Sequence, residues 1–151
     1  MPDELNEVLD TAIYKEIASQ AVYEAAQQKT DDPGAQKLLG ELAVQEIKHA
    51  EKLEGLKQRG LTERQWHPEK VADLKISDYL TGSDTLEGAG LQDTLIFAMK
   101  REGESMAFYR QLKGMMQEET AKKLCASLEN EELRHKRRLE TIYDQLFYGE
   151  N

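Results

Sequence analysis

Hydrophobic residues recur along four segments of the chain in alternating steps of three and four. This spacing is typical of amphipathic helices that bury one stripe against their neighbours in a bundle. It predicts helices over about 4–29, 33–59, 90–115 and 119–148. Asp32-Pro33 supplies an N-cap and a first helical residue for the second of them. Because only short breaks separate the first two helices and the last two, we expect two antiparallel hairpins.

The segment between the hairpins, about 61–88, has no sustained periodicity and contains Trp66-His67-Pro68. Helices of this length span about 37 Å, and the segment is long enough to run beside them and start the second hairpin from the same end. We interpret His67 as a loop residue, with a third metal site or a metal-entry site as the alternative. The sequence therefore predicts an all-α four-helix bundle with a long crossover, forming a single domain over 1–151.

The two hairpins are copies of one unit. Residues 9–23 match 95–109 at six of 15 positions, and residues 35–53 match 121–139 at seven of 19, both with an offset of 86. Unrelated segments would share roughly two residues over this length. The chain is a tandem repeat of a helical hairpin.

Polar residues interrupt the apolar stripes at equivalent places. Glu46 and His49 lie one turn apart on the second predicted helix, and Glu132 and His135 repeat this Glu-x-x-His on the fourth. The first and third stripes each carry one glutamate, at Glu16 and Glu102. Tyrosines follow two turns later, at positions 23 and 109, where we expect core packing, with a hydrogen bond to a glutamate as the alternative.

Packing of the hairpins would bring four carboxylates and two imidazoles to the middle of the core. No Lys or Arg occupies the stripe positions at this level. Unpaired carboxylates in a low-dielectric core cost several kcal/mol each or become protonated. Two divalent cations would balance the four negative charges. An oxygen-rich set with one imidazole per metal favours iron or manganese and excludes a thiolate zinc site.

This constellation resembles the ferritin-like di-iron carboxylate family, and within it the rubrerythrin-type domains. The resemblance covers the whole chain and implies a ferritin-like four-helix bundle that holds two iron ions per chain, with manganese or a mixed pair as alternatives. It implies that Glu46 and Glu132 bridge the metals, that Glu16 and His49 complete one site, and that the other site is completed by Glu102 and His135. It also implies a homodimer.

Two features depart from rubrerythrins proper. These carry a further glutamate one turn after the third-helix ligand, where this chain has Ser105, while Glu104 lies elsewhere on the helix. They also carry a cysteine-rich rubredoxin module that delivers electrons, whereas this chain has a single cysteine, Cys125, which we expect in the core. These departures argue against peroxide reduction through an on-chain electron relay.

Composition narrows the class of protein. The formal net charge of −9 argues against nucleic acid or an anionic membrane as a partner. No apolar run approaches the ~20 residues that span a bilayer, and no secretory signal opens the sequence. A single cysteine excludes an internal disulfide, and a reducing, cytoplasmic compartment fits these features.

Three functions remain open. The first is an oxidoreductase that reacts Fe(II) with dioxygen or hydrogen peroxide, as a ferroxidase or peroxidase with an external electron donor. The second is an iron-binding or storage module with little turnover. The third is a metal-free helical dimerisation domain.

Overall fold

A computed structural model describes residues 2–58 and 90–148, with side chains from residue 6 onward. Four α-helices account for almost all of this part of the chain. They are α1 (Pro2–Gln28), α2 (Pro33–Gln58), α3 (Leu91–Met115) and α4 (Glu119–Phe147). Their bounds lie within two residues of those predicted from the hydrophobic spacing. The predicted crossover, 61–88, with Trp66 and His67, lies outside the described residues.

The break between α1 and α2 is organised as the sequence predicts. The Asp32 side chain accepts a hydrogen bond from the backbone N–H of Ala35 at 2.8 Å, and the Asp32 carbonyl accepts one from Gln36 at 2.9 Å. These bonds satisfy two of the first amides of α2, while Pro33 has none to satisfy. The chain therefore reverses within a few residues, and α2 packs back along α1.

The helices form two hairpins, α1 with α2 and α3 with α4, which meet through α1 against α3 and through α2 against α4. The bundle is the all-α, four-helix architecture that the sequence predicts. Among the described residues, no helix is long and apolar enough to cross a membrane.

Two apolar clusters fill the bundle core. One contains the start of α1, the end of α2, the end of α3 and the start of α4, and includes Leu9, Leu112 and Leu128. The other contains the opposite ends of the same helices and includes Leu42 and Leu139. Because α2 ends and α3 ends in the same cluster, these two helices run parallel. The level between the clusters holds the polar residues of the stripes.

Candidate metal centre

All six residues predicted as metal ligands lie buried at the middle of the bundle. Each has a relative exposure of 2% or less. The set is Glu16, Glu46, His49, Glu102, Glu132 and His135. The helical spacing predicted this convergence, since each residue replaces an apolar side chain on the stripe that its helix turns inward.

The six side chains divide into two overlapping groups. One group is Glu16, Glu46, His49 and Glu132, and the other is Glu46, Glu102, Glu132 and His135. Within each group, one ligand atom per residue lies within 4.8 Å of all the others. Glu46 and Glu132 belong to both groups. This shared pair is compatible with two adjacent cation sites bridged by two carboxylates.

Both imidazoles present Nδ1 to the carboxylates. His49 Nδ1 lies 3.2 Å from Glu16 Oε2 and 3.2 Å from Glu132 Oε1. His135 Nδ1 lies 2.8 Å from Glu46 Oε1 and 3.2 Å from Glu132 Oε1. The two rings stand almost parallel, with centroids 5.5 Å apart. A neutral imidazole in this orientation offers its Nδ1 lone pair to the centre of the cluster.

Several buried oxygens at the centre make no hydrogen bond of regular geometry within the described residues, although imidazole Nδ1 atoms lie 2.8 Å from Glu46 Oε1 and 3.2 Å from Glu132 Oε1. Neither carboxylate oxygen of Glu46 or Glu132 makes a hydrogen bond with any residue in the described ranges, and neither does Glu102 Oε2. A buried carboxylate without a donor is strongly disfavoured. These orphaned oxygens are compatible with bound cations, which would coordinate the atoms that the protein leaves unpaired.

The charge of the cluster strongly perturbs its pKa values. Burial, followed by the charges of Glu132 and Glu16, raises the pKa of Glu46 well above its ordinary value. Burial and the Glu132 charge raise the pKa of Glu102 to about 8, although His135 opposes the shift. For Glu132, burial alone would raise the pKa, but contacts with His135 and His49 outweigh it and lower the value to about 2.

The histidines respond in the opposite sense. Burial alone would lower the pKa of His49, but Glu132 and Glu16 outweigh it and raise the value to about 10. Burial likewise opposes the effect of Glu102 and Glu132 on His135, whose pKa rises to about 9. Without metal, the protein therefore neutralises the cluster by holding protons on both imidazoles and on part of the carboxylates.

Each lone glutamate is held by a tyrosine of the other hairpin. The hydroxyl of Tyr23 on α1 donates to Glu102 Oε1 on α3 at 2.5 Å, and that of Tyr109 on α3 donates to Glu16 Oε1 on α1. Burial and the adjacent carboxylate raise both tyrosine pKa values, so the phenols stay protonated as donors. The sequence favoured packing alone for these residues, whereas the structure shows both packing and the hydrogen bond.

Two buried cations beside the centre were missed by the sequence reasoning, which examined only the stripe positions. Lys15 and Arg101 are related by the 86-residue repeat and directly precede the lone glutamates. The Arg101 guanidinium donates to the Lys15 carbonyl at 3.2 Å, and Lys15 Nζ lies 3.8 Å from Glu104 Oε2. They lie between α1 and α3. The 86-residue offset relates Lys15 to Arg101, and this repeated basic position is the sequence signal that would have identified the pair.

The structure also locates the residues at which the sequence departs from rubrerythrins. Ser105 is buried on α3, so the position where rubrerythrins carry a further glutamate holds a hydroxyl. Glu104 Oε2 lies 3.8 Å from Lys15 Nζ and is not among the residues of the two candidate ligand groups. Cys125 lies in the core as expected, and burial raises the pKa of its thiol to about 12.

Comparison with known families and structures agrees with this architecture. The rubrerythrin family model matches residues 1–57, which include the first hairpin and its three candidate ligands. Two solved structures share the fold. The chain has a ferritin-like fold, and its first hairpin is similar to rubrerythrin. The second hairpin, with the other three candidate ligands, lies outside the matched range. It is related to the first hairpin by the internal repeat.

The first similar structure is a hypothetical protein from Pyrococcus furiosus. Its TM-score is 0.71 with 23% identity, and the alignment covers 97% of this chain and 92% of that chain. The second is a two-domain protein from Anabaena variabilis that contains DJ-1/ThiJ/PfpI-like and ferritin-like domains. Its TM-score is 0.71 with 19% identity, and the alignment covers 96% of this chain but 40% of that chain. At these identities the likeness shows the ferritin-like fold. The comparison with curated protein sequences found no match.

Proposed function

We propose that this ferritin-like domain is a non-haem di-iron protein that reacts Fe(II) with dioxygen or hydrogen peroxide. The observation that carries the proposal is the pair of overlapping ligand groups that share Glu46 and Glu132. The oxygen-rich donor set favours iron or manganese on ligand grounds, and the rubrerythrin-type match favours iron. When bound, two Fe(II) ions supply two electrons, enough to reduce hydrogen peroxide to water with two protons.

The protein's own residues supply the site for this chemistry. Glu46 and Glu132 would bridge the pair, Glu16 with His49 would complete one site, and the second would be completed by Glu102 and His135. Hydrogen bonds from the two core tyrosines fix the terminal glutamates, as their donors come from the opposite hairpin. The apolar clusters above and below exclude bulk water, which preserves the strength of every electrostatic contact inside.

The alternative is iron binding or storage with little turnover. The buried Ser105 favours it, because this position offers a hydroxyl where a further carboxylate would serve a peroxidase of the rubrerythrin type. The two functions differ in what happens after the first oxidation. In a peroxidase the electron donor returns the iron pair to the Fe(II) state after each turnover. In a storage protein the oxidised iron accumulates as ferric mineral.

Metal analysis followed by kinetics tests the proposal. Protein reconstituted anaerobically with Fe(II) should hold about two metal ions per chain, as expected for two adjacent four-ligand sites. When hydrogen peroxide is then added together with a reduced dye as electron donor, the protein should consume peroxide and oxidise the dye at a steady rate. A single oxidation followed by growth of ferric mineral would select storage. Absence of bound metal after reconstitution would leave only a metal-free dimerisation role.

We also propose that the protein forms a homodimer through its first hairpin. Tyr14 and Ile17 on α1 and Val44 on α2 are large apolar side chains that are exposed in the single chain. Light scattering on the purified protein should give twice the mass of one chain, 17.3 kDa. A monomer at micromolar concentration would refute the dimer without affecting the metal centre.

A further inference from the structure

A groove of about 540 Å³ lies on the outer face of the bundle between α2 and α4. Four basic side chains line it, Lys48 from α2 and Arg134, Arg137 and Arg138 from α4. The candidate ligand His135 lines it as well and, at 1% exposure, belongs to its floor. We call this feature the basic groove. Its volume is in the range of small-molecule binding sites.

Three of the four cations have no acidic partner in residues 6–58 and 90–148. Lys48, Arg134 and Arg137 are exposed and form no ion pair with any residue of these ranges. Arg138, by contrast, is paired, with its Nη2 atom 3.4 Å from Glu41 Oε2. Like charges one turn apart on a helix repel each other, so the spacing of the arginines does not stabilise α4. Contacts within the bundle therefore do not account for these cations.

The basic groove keeps a surplus of positive charge when its acidic neighbours are included. Among the described residues, Glu131 is the acidic side chain that lines it, and Lys52 Nζ lies 3.9 Å from Glu131 Oε2. The whole chain, in contrast, has a net charge of −9. A large acidic partner would meet the repulsion of that wider surface, whereas a small anion inside the groove would meet its cations at close range.

The internal repeat shows that this charge belongs to one half of the bundle. Lys48 and Arg134 are equivalent under the 86-residue offset, so both copies are basic at this position. Arg137, however, corresponds to Glu51, which is exposed on α2. The equivalent position in the first hairpin therefore carries an acid. The positive surplus follows from this difference between the copies and not from their shared architecture.

We propose that the basic groove binds a small molecule through a phosphate group, which Lys48, Arg134 and Arg137 hold from two helices. Arg134 and Arg137 lie one turn apart on α4, and Lys48 contributes from α2. An arginine guanidinium donates two parallel N–H bonds to a phosphate, and a lysine ammonium adds a compact charge. Free phosphate and the phosphate of an organic molecule share this recognition chemistry, and the groove has room for either.

The ligand would lie next to one half of the candidate metal centre. His135 forms part of the floor of the basic groove, and its Nδ1 faces the carboxylates, 2.8 Å from Glu46 Oε1. A bound phosphate group is therefore separated from the cluster by the imidazole ring. This inference goes beyond the proposed function, because anion binding in the groove needs neither a metal ion nor turnover.

Titration of the metal-free, full-length protein with inorganic phosphate tests the site by NMR. Backbone signals of Lys48 and of residues 134–138 should shift saturably, and the ring signals of His135 should shift while those of His49 stay in place. Combined Arg134→Gln and Arg137→Gln should weaken binding by about 10-fold or more, because each substitution removes a charged donor.

A matched control removes the same charge elsewhere on the surface. Combined Lys100→Gln and Lys123→Gln changes two exposed cations on α3 and α4 that do not line the basic groove, and should leave the affinity for phosphate nearly unchanged. Circular dichroism checks that both double variants keep their helices. No saturable shift at millimolar phosphate, or an equal loss of affinity in the control, would refute the proposal.

The source of the phosphate group is decided by a second titration. Adenosine monophosphate that binds at least about 10-fold more tightly than inorganic phosphate, with adenosine not binding, would indicate an organic phosphate as the ligand. Equal affinities would assign the groove to the phosphate group alone, and binding of adenosine as tight as that of its monophosphate would contradict phosphate recognition. Because these titrations contain no metal, their failure leaves the proposed metal centre intact, and a failure to bind Fe(II) leaves the basic groove intact.

Discussion

Loading the centre with metal at pH 7 should release protons. In the metal-free protein His49, with a pKa of about 10, and His135, with a pKa of about 9, both carry an extra proton at this pH. Glu102, with a pKa of about 8, is largely protonated as well. A metal competes for these same atoms, since it binds neutral imidazole and ionised carboxylate.

The size of the effect follows from these groups. Each histidine gives up one proton and Glu102 gives up most of one, while Glu46, whose pKa is raised well above its ordinary value, contributes a further share. We expect about three to four protons per chain at pH 7. At pH 9.5 Glu102 and most of His135 are already deprotonated, so the release should fall by about two.

Calorimetry with Co(II) in two buffers of different ionisation enthalpy measures this number directly. The difference between the two observed heats, divided by the difference in buffer enthalpy, gives the protons released. A matched control is Glu140→Gln, an exposed position on α4, which should release the same number. Heats that do not depend on the buffer at pH 7 would show that the ligands are already deprotonated, and would refute the proposed charge balance of the metal-free core.

Four further predictions concern stability and binding. In the metal-free protein the raised pKa of His49 stabilises the fold fully below about pH 6.5 and progressively less up to pH 10, so thermal scans should show the melting temperature falling over this range. Leu128→Ala should lower the free energy of unfolding by about 2–5 kcal/mol in urea titrations, whereas exposed Ile96→Ala should change it by under about 0.5 kcal/mol. Tyr109→Phe should weaken Co(II) binding roughly 10- to 100-fold with helicity unchanged, and equal affinity would contradict its role in holding the candidate ligand. Glu132→Ala should abolish binding of the metal pair, so a retained two-metal stoichiometry would exclude a bridging role.

The sequence by itself determined the helices, their pairing and the level at which polar residues meet. Alternating steps of three and four mark the buried stripe of each helix without reference to its neighbours, because helical periodicity is a local property. The Asp32-Pro33 start of α2 is local for the same reason. The 86-residue repeat then placed Glu46, His49 and their copies at equivalent heights.

Only the tertiary structure decided which side chains meet across the bundle. Gln45 and Glu131 stand one position away from the stripe, where sequence periodicity predicts a partly exposed residue. Gln45 contacts His135 and Glu131 contacts His49, and both contacts depend on how closely α2 approaches α4. Tyr23 and Tyr109 extend to the opposite hairpin rather than along their own. These contacts join residues 79 to 93 positions apart. They depend on the distance and rotation between packed helices, which no local pattern along one helix contains.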